Sequence, residues 1–374
     1  MFEVSRLFIT GGAGFIGSNY TRWLLQETTV EHIVVYDALT YAGGLDTLKG
    51  VLDDCRVTFV RGDVCNRQAV TQAMQGCDMV VHLAAESHVD KSIANPDAFV
   101  RTNCFGTNVV CDVARRSGVK RFVHVSTDEV YGSISEGSFT EQSPLRPTSP
   151  YAASKAAADH IAQSYHRTYG LNLMLTRSSN IFGPYQFPEK VIPLFVTNLF
   201  YGEPMPLYGD GTNMRDWCYV QDNCAAIHMV LLSGEPGEVY NISSDNALTN
   251  RDLAEKLMKL CEPPVDRKTT VQPGRSSSGS EQGDEELIMG ERVSHTDGVQ
   301  KQSGSEQGDE ELIMVVEDRL GHDQRYSLNS SKIRSLGWAP QYEFDRALAQ
   351  TVEWYRDNLW WWEPRRQELL RCEP

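Results

Sequence analysis

The sequence predicts an α/β protein, a doubly wound parallel sheet followed by a smaller C-terminal α/β lobe. Up to residue 180, short apolar runs alternate with longer amphipathic stretches. The runs are hydrophobic almost throughout, as expected of strands that helices cover on both faces. Strict alternation of strand and helix favours right-handed crossovers and hence a parallel sheet. The predicted strands are 6–10, 32–37, 57–63, 79–85, 121–127 and 171–179, and the predicted helices are 18–26, 67–74, 104–117 and 152–169.

Composition excludes several classes of protein. The chain has 374 residues, with 35 Lys and Arg against 50 Asp and Glu, and a net charge of −15. Such a balance argues against partners bound through bulk positive charge, so neither nucleic acid nor an anionic membrane is expected. The nine Cys are scattered without a CxxC pair, which predicts neither disulfides nor a metal site. The start of the chain lacks signal-peptide architecture and no stretch is apolar enough to span a membrane, so we expect a cytoplasmic protein.

Beyond residue 180, prolines interrupt the alternating pattern and the elements become shorter, which indicates the second lobe. Its last part, 344–361, is amphipathic and rich in Trp, and it predicts one helix with a core or interface role.

One acidic segment is duplicated. The twelve residues SGSEQGDEELIM occur at 278–289 and again at 303–314. Two copies cannot build a solenoid, which needs at least three stacked units. We expect a disordered acidic insertion at about 265–314, with an acidic docking site for a partner as the alternative. Residues 272–314 contain ten acidic and three basic side chains, so they carry −7 of the net charge of −15.

The first strand leads into a glycine-rich turn that predicts a dinucleotide site. Gly11 permits a tight turn, Gly14 lets a pyrophosphate approach the backbone, and Gly17 lets the helix pack on the strand. Asp37 ends the next strand, where its carboxylate can accept ribose hydroxyls and repel a 2′-phosphate. A purely structural turn is the alternative. The context favours a Rossmann-type domain that binds NAD rather than NADP.

Two groups of residues predict the chemistry. Tyr151 and Lys155 share one face of a helix, and the ammonium is expected to lower the pKa of the phenol, making it a base for an alcohol. Thr127, Asp128 and Glu129 end the fifth strand, where ligands bind in open α/β sheets. Oxidation alone needs no pair of carboxyl groups, so we expect a general acid and a general base. The alternatives are a surface helix pair and carboxylates that cap a turn.

The glycine spacing GxxGxxG resembles that of the extended short-chain dehydrogenase/reductase family. Within it, the chain closely resembles the dTDP-glucose 4,6-dehydratases over nearly its whole length except about 262–314. Leu320 and Asn223 depart from that family's pattern, where Pro and His are usual. The motifs that carry the resemblance are HLAAESHVD (82–90), TDE (127–129), TRSSN (176–180), YQFPEKVIP (185–193), RDW (215–217) and DRLGH (318–322).

The resemblance implies an NAD-dependent hydro-lyase that converts dTDP-glucose to dTDP-4-keto-6-deoxyglucose. Tyr151 would deprotonate the C4 hydroxyl during hydride transfer, with Lys155 supporting the phenolate and Thr127 binding the 4-oxygen. Glu129 would then remove the C5 proton while Asp128 protonates the departing C6 hydroxyl. We expect the Asp128 pKa to be raised by its neighbouring carboxylate. Hydride returned to C6 regenerates NAD.

The resemblance also implies two functional parts and a homodimer. Residues 1–180 would bind NAD and carry catalysis, 181–374 would mainly bind the nucleotide sugar, and the dimer would form through the helices after Asn103 and Tyr151. The implied cofactor residues are Gly11, Gly14, Phe15, Ile16, Gly17, Asp37, Leu39, Thr40, Asp63, Val64, Leu83, Ala84, Ala85, Ser87, Thr102, Tyr151 and Lys155. The implied substrate residues are Ser87, Thr127, Asn180, Lys190, Val191, Pro206, Leu207, Tyr208, Arg215, Asn250, Asp318 and His322.

Several alternatives remain open from the sequence. UDP-glucose could replace dTDP-glucose, because few contacts distinguish the bases. UDP-glucuronate decarboxylation or 4-epimerisation would not need the Asp128–Glu129 pair. The chain could also be a non-catalytic NAD-binding scaffold that recruits a partner through the acidic repeat. Arg215 could be a surface ion-pair residue, and Asn250 could cap a helix rather than bind substrate.

Overall fold

The computed structural model describes residues 5–261, 312–318 and 321–372. Its strands are β1 (Arg6–Thr10), β2 (His32–Asp37), β3 (Val57–Arg61), β4 (Met79–His82), β5 (Arg121–Thr127), β6 (Leu173–Ser178), β7 (Asn180–Phe182), β8 (Met205–Tyr208), β9 (Met214–Tyr219), β10 (Val239–Ile242), β11 (Ala247–Thr249) and β12 (Ile313–Val316). Its helices are α1 (Phe15–Glu27), α2 (Arg67–Ala73), α3 (Val89–Ala94), α4 (Pro96–Phe99), α5 (Thr107–Arg116), α6 (Pro150–Tyr169), α7 (Val191–Tyr201), α8 (Val220–Ser233), α9 (Asn250–Leu260), α10 (Ser331–Ser335), α11 (Phe344–Asp357) and α12 (Leu359–Cys372). Short 3-10 helices span Leu45–Leu48 and Asp128–Tyr131, and a π-helix spans Val100–Gly106.

The predicted doubly wound sheet is confirmed. Seven parallel strands lie in the order β10-β6-β5-β4-β1-β2-β3. Alternate residues of β1 enter different cores, with Leu7 and Ile9 in one cluster and Phe8 in the other. Helices therefore cover both faces of the sheet, which explains why its strands are hydrophobic almost throughout.

The first sheet is not built from residues 1–180 alone. Its edge strand β10 comes from the second half of the chain and pairs with β6, with Val239 opposite Leu175 and Ile242 opposite Ser178. Helix α8, also from the second half, packs against α1. The proposed boundary at residue 180 therefore does not coincide with the edge of the sheet.

The second half also forms two small sheets, β11-β9-β7 and β12-β8. Strand β12 runs parallel to β8, with Ile313 opposite Met205. Ile313 and Met314 are the last residues of the second acidic copy, so this end of the predicted insertion forms a strand. The remainder of the duplicated segment, through residue 311, lies outside the described residues.

The Trp-rich C-terminal segment differs from the prediction. It forms two helices, α11 and α12, rather than one. The helical conformation is interrupted at Asn358, which has a φ of −119° and a ψ of 43°. The break turns Trp361 and Trp362 into the core, where they are fully buried, while Trp360 stays partly exposed. The predicted core role is confirmed. Among the described residues, no helix is both long and apolar enough to cross a membrane.

Candidate active site

The glycine-rich turn after β1 has the geometry that a dinucleotide needs. Gly11 adopts a φ of +66°, and a methyl group there would lie 2.7 Å from the Ala84 amide nitrogen. A methyl group at Gly17 would lie 2.3 Å from the Gly11 carbonyl oxygen, so only glycine lets α1 pack this closely on the turn. Gly14 begins α1 without a side-chain cap, which leaves the amino end of the helix facing a cavity where an anion is favoured.

That cavity lies beyond the carboxyl ends of β1, β2, β4 and β5 and fits a dinucleotide. Every predicted cofactor residue lines it except Leu39. Leu39 adopts a φ of 56° and packs against the core, and it is not among the residues that line the cavity. Its amide instead donates a hydrogen bond to Asp37 Oδ1 at 2.7 Å.

Asp37 lies at the end of β2, at the edge of the cavity. Its Oδ2 accepts a hydrogen bond from the Ala13 amide at 2.9 Å, so the carboxylate is fixed by two backbone donors. Burial raises the pKa of Asp37 and these two hydrogen bonds oppose the rise. A carboxylate oxygen has two acceptor sites, so each can still accept a ribose hydroxyl.

The sequence assigned only part of the YQFPEKVIP motif. Besides Lys190, the residues Gln186, Phe187 and Glu189 line the cofactor cavity. Glu189 accepts hydrogen bonds from Tyr41 at 3.0 Å and from Lys91 at 2.8 Å. The resemblance of this motif to the family could have identified these residues. No spacing rule, however, predicts that Glu189 joins the loop after β2 to helix α3.

The turn after β5 carries the predicted acid and base. The Thr127 hydroxyl accepts a hydrogen bond from the Glu129 amide at 3.2 Å, so Thr127 caps the 3-10 helix. The cap of this 3-10 helix is thus Thr127, and neither carboxylate is needed for that role. Asp128 is 3% exposed, and burial together with the Glu129 carboxylate raises its pKa well above the usual value. Both effects favour the protonated form of Asp128, which an acid catalyst requires.

Tyr151 and Lys155 lie on one buried face of α6, which begins with Pro150 after the N-cap Ser149. The predicted lowering of the Tyr151 pKa is wrong for this arrangement. Burial and the Glu129 carboxylate raise it, although the Thr127 hydroxyl opposes the rise. Lys155 Nζ donates to the Val125 carbonyl at 2.8 Å, and burial lowers its pKa to about 8. Both side chains are buried, so the surface-pair alternative is also wrong.

A second pocket adjoins the cofactor cavity, and Ser87, Gln186, Glu189 and Lys190 line both. Glu129 faces the second pocket, so the catalytic turn lies where the two meet. The predicted substrate residues that line it are Ser87, Asn180, Lys190, Val191, Pro206, Leu207, Tyr208, Arg215, Asn250 and His322.

The two remaining predicted substrate residues lie beside this pocket. Thr127 belongs to the catalytic turn. Asp318 Oδ1 lies 2.6 Å from His322 Nδ1, so it orients a residue of the lining rather than forming the lining itself.

The Arg215 side chain is buried and is fixed by two backbone carbonyls and an aromatic ring. It is 5% exposed, its guanidinium donates to the carbonyls of Met214 and Asp323 at 2.8 Å each, and it lies 4.4 Å from the centre of the Tyr326 ring. This burial rules out the surface ion-pair alternative. Lys190 Nζ donates to the Ser87 carbonyl at 3.0 Å. Two cations therefore line the pocket of a strongly acidic chain.

Asn250 is the first residue of α9 and not its cap. Thr249 is the N-cap and forms a capping box with Asp252. The helix-cap alternative for Asn250 is therefore wrong, and the residue lines the second pocket. Within residues 5–261, 312–318 and 321–372, no group of three or more His, Cys, Asp or Glu side chains is arranged to hold a metal ion.

Similarity to known proteins agrees with this geometry. The family model for GDP-mannose 4,6 dehydratase matches residues 8–351. The dTDP-glucose 4,6-dehydratase of Streptomyces niveus is 44% identical over 96% of this chain and 95% of its own length. A crystal structure of the dTDP-glucose 4,6-dehydratase from Streptomyces venezuelae with NAD bound has a TM-score of 0.83 and 45% identity, covering 96% of this chain and 99% of that one.

A more distant structural relative shares the fold. The UDP-glucose 4-epimerase of Thermus thermophilus, in complex with NAD, has a TM-score of 0.76 and 27% identity over 94% of this chain and 99% of that one. The family model and the full-length relatives at over 40% identity together show that this chain belongs to the GDP-mannose 4,6-dehydratase family, in which it is similar to dTDP-glucose 4,6-dehydratases.

Proposed function

We propose that this chain is an NAD-dependent dTDP-glucose 4,6-dehydratase, which forms dTDP-4-keto-6-deoxyglucose and water. The observation that carries the proposal is the pair Asp128 and Glu129 at the junction of the two pockets. Asp128 is buried and its pKa is raised, whereas Glu129 faces the second pocket. One acid and one base beside Tyr151 serve an elimination, which neither simple oxidation nor 4-epimerisation requires.

The first step is oxidation at C4. Bound NAD+ would supply a hydride acceptor, a positive charge beside Tyr151 and, at the end, the hydride that returns to C6. Tyr151 would accept the proton of the C4 hydroxyl, with Lys155 supporting the phenolate and Thr127 donating to the same oxygen. The lining of the cofactor cavity by Tyr151, Lys155, Gly14 and Asp37 supports this arrangement.

The second step is elimination of water across C5 and C6. The new ketone at C4 acidifies the C5 proton, which Glu129 would remove. Asp128, whose protonated form is favoured by burial and by the Glu129 carboxylate, would donate a proton to the C6 hydroxyl as it leaves. The same groups would then guide the return of a proton to C5 as C6 is reduced.

The substrate diphosphate would be held by Arg215 and Lys190. A guanidinium suits phosphate through its fork of donors, and the ammonium adds a second positive charge. Leu207, Tyr208 and His322 also line this pocket and support a site for the base. Arg215 and Lys190 would thus provide local positive charge for an anionic substrate although the net charge of the chain is negative.

Incubation with dTDP-glucose, UDP-glucose and UDP-glucuronate, followed by the alkaline absorbance of a 4-keto-6-deoxy sugar, tests the proposal. We expect product from dTDP-glucose. Product from UDP-glucose alone would move the assignment to that substrate, and epimerised or decarboxylated sugar without dehydration would contradict it. An NAD-binding protein inert towards all three would support the scaffold alternative.

We also propose a homodimer of the cytoplasm, joined through the π-helix, α5 and α6. Two large apolar side chains of the π-helix, Val100 and Phe105, are 56% and 49% exposed, more than a lone subunit favours. The eight cysteines whose side chains are described are all free, which supports a reducing compartment. Light scattering should give twice the chain mass, and Phe105→Glu should shift it to one chain mass.

A further inference from the structure

We propose that Asp159 is a positioning residue that keeps Lys155 in its charged form. Asp159 lies one helical turn after Lys155 on α6, so both side chains leave the same face. Asp159 is 0% exposed and Lys155 is 5% exposed. The inference deepens the proposed function, because it concerns the cation that supports Tyr151.

The acidic groups that interact electrostatically with Lys155 include the carboxylate of Asp159 and, more weakly, the thiol of Cys104. The charge of Lys155 also acts on His82 of β4 and His124 of β5, and the phenol of Tyr151 lies on the same helix as Lys155. Burial lowers the pKa of both histidines and raises that of Cys104 and Tyr151. Burial therefore favours the uncharged form of each of these four groups.

The carboxylate of Asp159 is fixed rather than free to turn away. Its Oδ2 accepts a hydrogen bond from Arg177 Nε at 2.9 Å, and its Oδ1 lies 3.3 Å from His124 Nε2. Arg177 also donates to the Tyr131 hydroxyl at 2.8 Å. The guanidinium holds the pKa of Asp159 well below its usual range, so the carboxylate stays charged where burial alone would neutralise it.

The same network joins the catalytic helix to distant strands. The Tyr131 hydroxyl donates in turn to Asn241 on β10 at 2.8 Å. Arg177 of β6 thus fixes Asp159, and Tyr131, at the end of the catalytic turn, links Arg177 to β10 at the edge of the sheet. Asp159 is thus a buried anion that pairs with Arg177 and interacts electrostatically with Lys155, and removing its charge weakens the stabilisation of both cations.

The sign of this electrostatic effect gives the test. Asp159→Asn keeps the shape of the side chain and removes its charge, so Lys155 should lose its proton at lower pH. We expect the alkaline limb of the kcat profile to move to lower pH and kcat at pH 8 to fall about tenfold, with little change in KM. Arg177→Gln removes the guanidinium that keeps Asp159 charged, so Asp159 can bind a proton and the same limb should again move to lower pH. Asp112→Asn, a carboxylate paired with arginines on α5, is the matched control and should leave the limb in place.

A second readout does not need turnover. Trace acetylation of Lys155 with acetic anhydride over a range of pH, quantified by mass spectrometry, reports its protonation directly. It still tests the inference if the wild-type protein proves inactive on every sugar nucleotide, which would overturn only the proposed function.

Two results would overturn the inference. One is a folded Asp159→Asn protein whose kcat limb and Lys155 titration stay at the wild-type pH. The other is a limb that moves to higher pH in Asp159→Asn, because loss of an anion that stabilises the ammonium cannot raise the pKa of Lys155. If Asp159→Asn does not fold, a folded Arg177→Gln protein decides, and a limb that stays at the wild-type pH or moves to higher pH would overturn the inference.

Discussion

Two glycines of the nucleotide turn should fail in different ways when each is replaced by alanine. At Gly17 the added methyl group would lie 2.3 Å from the Gly11 oxygen and 2.6 Å from Gly12 Cα. Both neighbours are backbone atoms and cannot rotate away, so α1 must shift. At Gly14 the nearest atom, the Gly11 oxygen, is 3.3 Å away, and the methyl group would project towards the cofactor cavity.

The expected magnitudes follow from these distances. Overpacking of this kind costs about 1–3 kcal/mol, a large part of the total stability of a domain. Gly17→Ala should therefore lower the free energy of unfolding by that amount or more. Gly14→Ala should change it by less than about 1 kcal/mol, because a contact of 3.3 Å needs only a small adjustment. Its effect should instead be on NAD affinity, with a loss of at least about tenfold because the pyrophosphate can no longer approach the backbone.

Urea denaturation and calorimetric titration with NAD measure the two effects separately. Gly118→Ala is unsuitable as a control because Gly118 has a φ of +70°, whereas Ala153→Gly on the exposed face of α6 tests only helix propensity. A stable Gly17→Ala protein, or a Gly14→Ala protein with wild-type NAD affinity, would refute the roles assigned to this turn.

Three further predictions concern the catalytic residues and the second pocket. Asp128→Asn should lower kcat by about 10²–10⁴-fold, since an amide cannot donate the required proton. Stopped-flow absorbance should then show that the reduced cofactor accumulates. Dehydration at the wild-type rate would contradict the acid role. Activity should fall as pH rises through about 8, where Lys155 loses its proton. In the unfolded chain Lys155 keeps its proton up to its ordinary pKa of 10.5, so the free-energy cost of burying the ammonium disappears between about pH 8 and 10.5. The urea midpoint should therefore rise over the same range in which kcat falls. Thr249→Ala should cost about 1 kcal/mol of stability, because the capping box is lost, and should leave KM unchanged. Asn250→Ala should instead raise KM with little loss of stability. The reverse pattern would exclude Asn250 as a ligand.

The sequence predicted the strands well, because a strand covered on both faces must be apolar throughout. Its errors at strand ends have a physical reason. The predicted strand 79–85 overruns β4 by three residues, and Leu83, Ala84 and Ala85 are apolar because they line the cofactor cavity. Hydrophobic pattern reports burial and cannot distinguish pairing in a sheet from lining a cavity.

Other features could not be predicted from one sequence. Periodicity showed that Tyr151 and Lys155 share a face, but not that the ammonium donates to the Val125 carbonyl or that Glu129 lies close enough to raise the Tyr151 pKa. The pairing of β10 with β6 joins residues more than sixty positions apart, which no local pattern encodes. The break at Asn358 was hidden because the apolar period continues through it.

The origin of β10 means that the nucleotide-binding half is not a separable module. A fragment ending at residue 180 would lack the strand that covers β6, and the open backbone of that strand would be a template for pairing between fragments. Exchange of whole lobes between related enzymes, by recombination or in the laboratory, would meet the same obstacle. Chimaeras should therefore fold only when Val239–Ile242 is transferred together with the sheet that it completes.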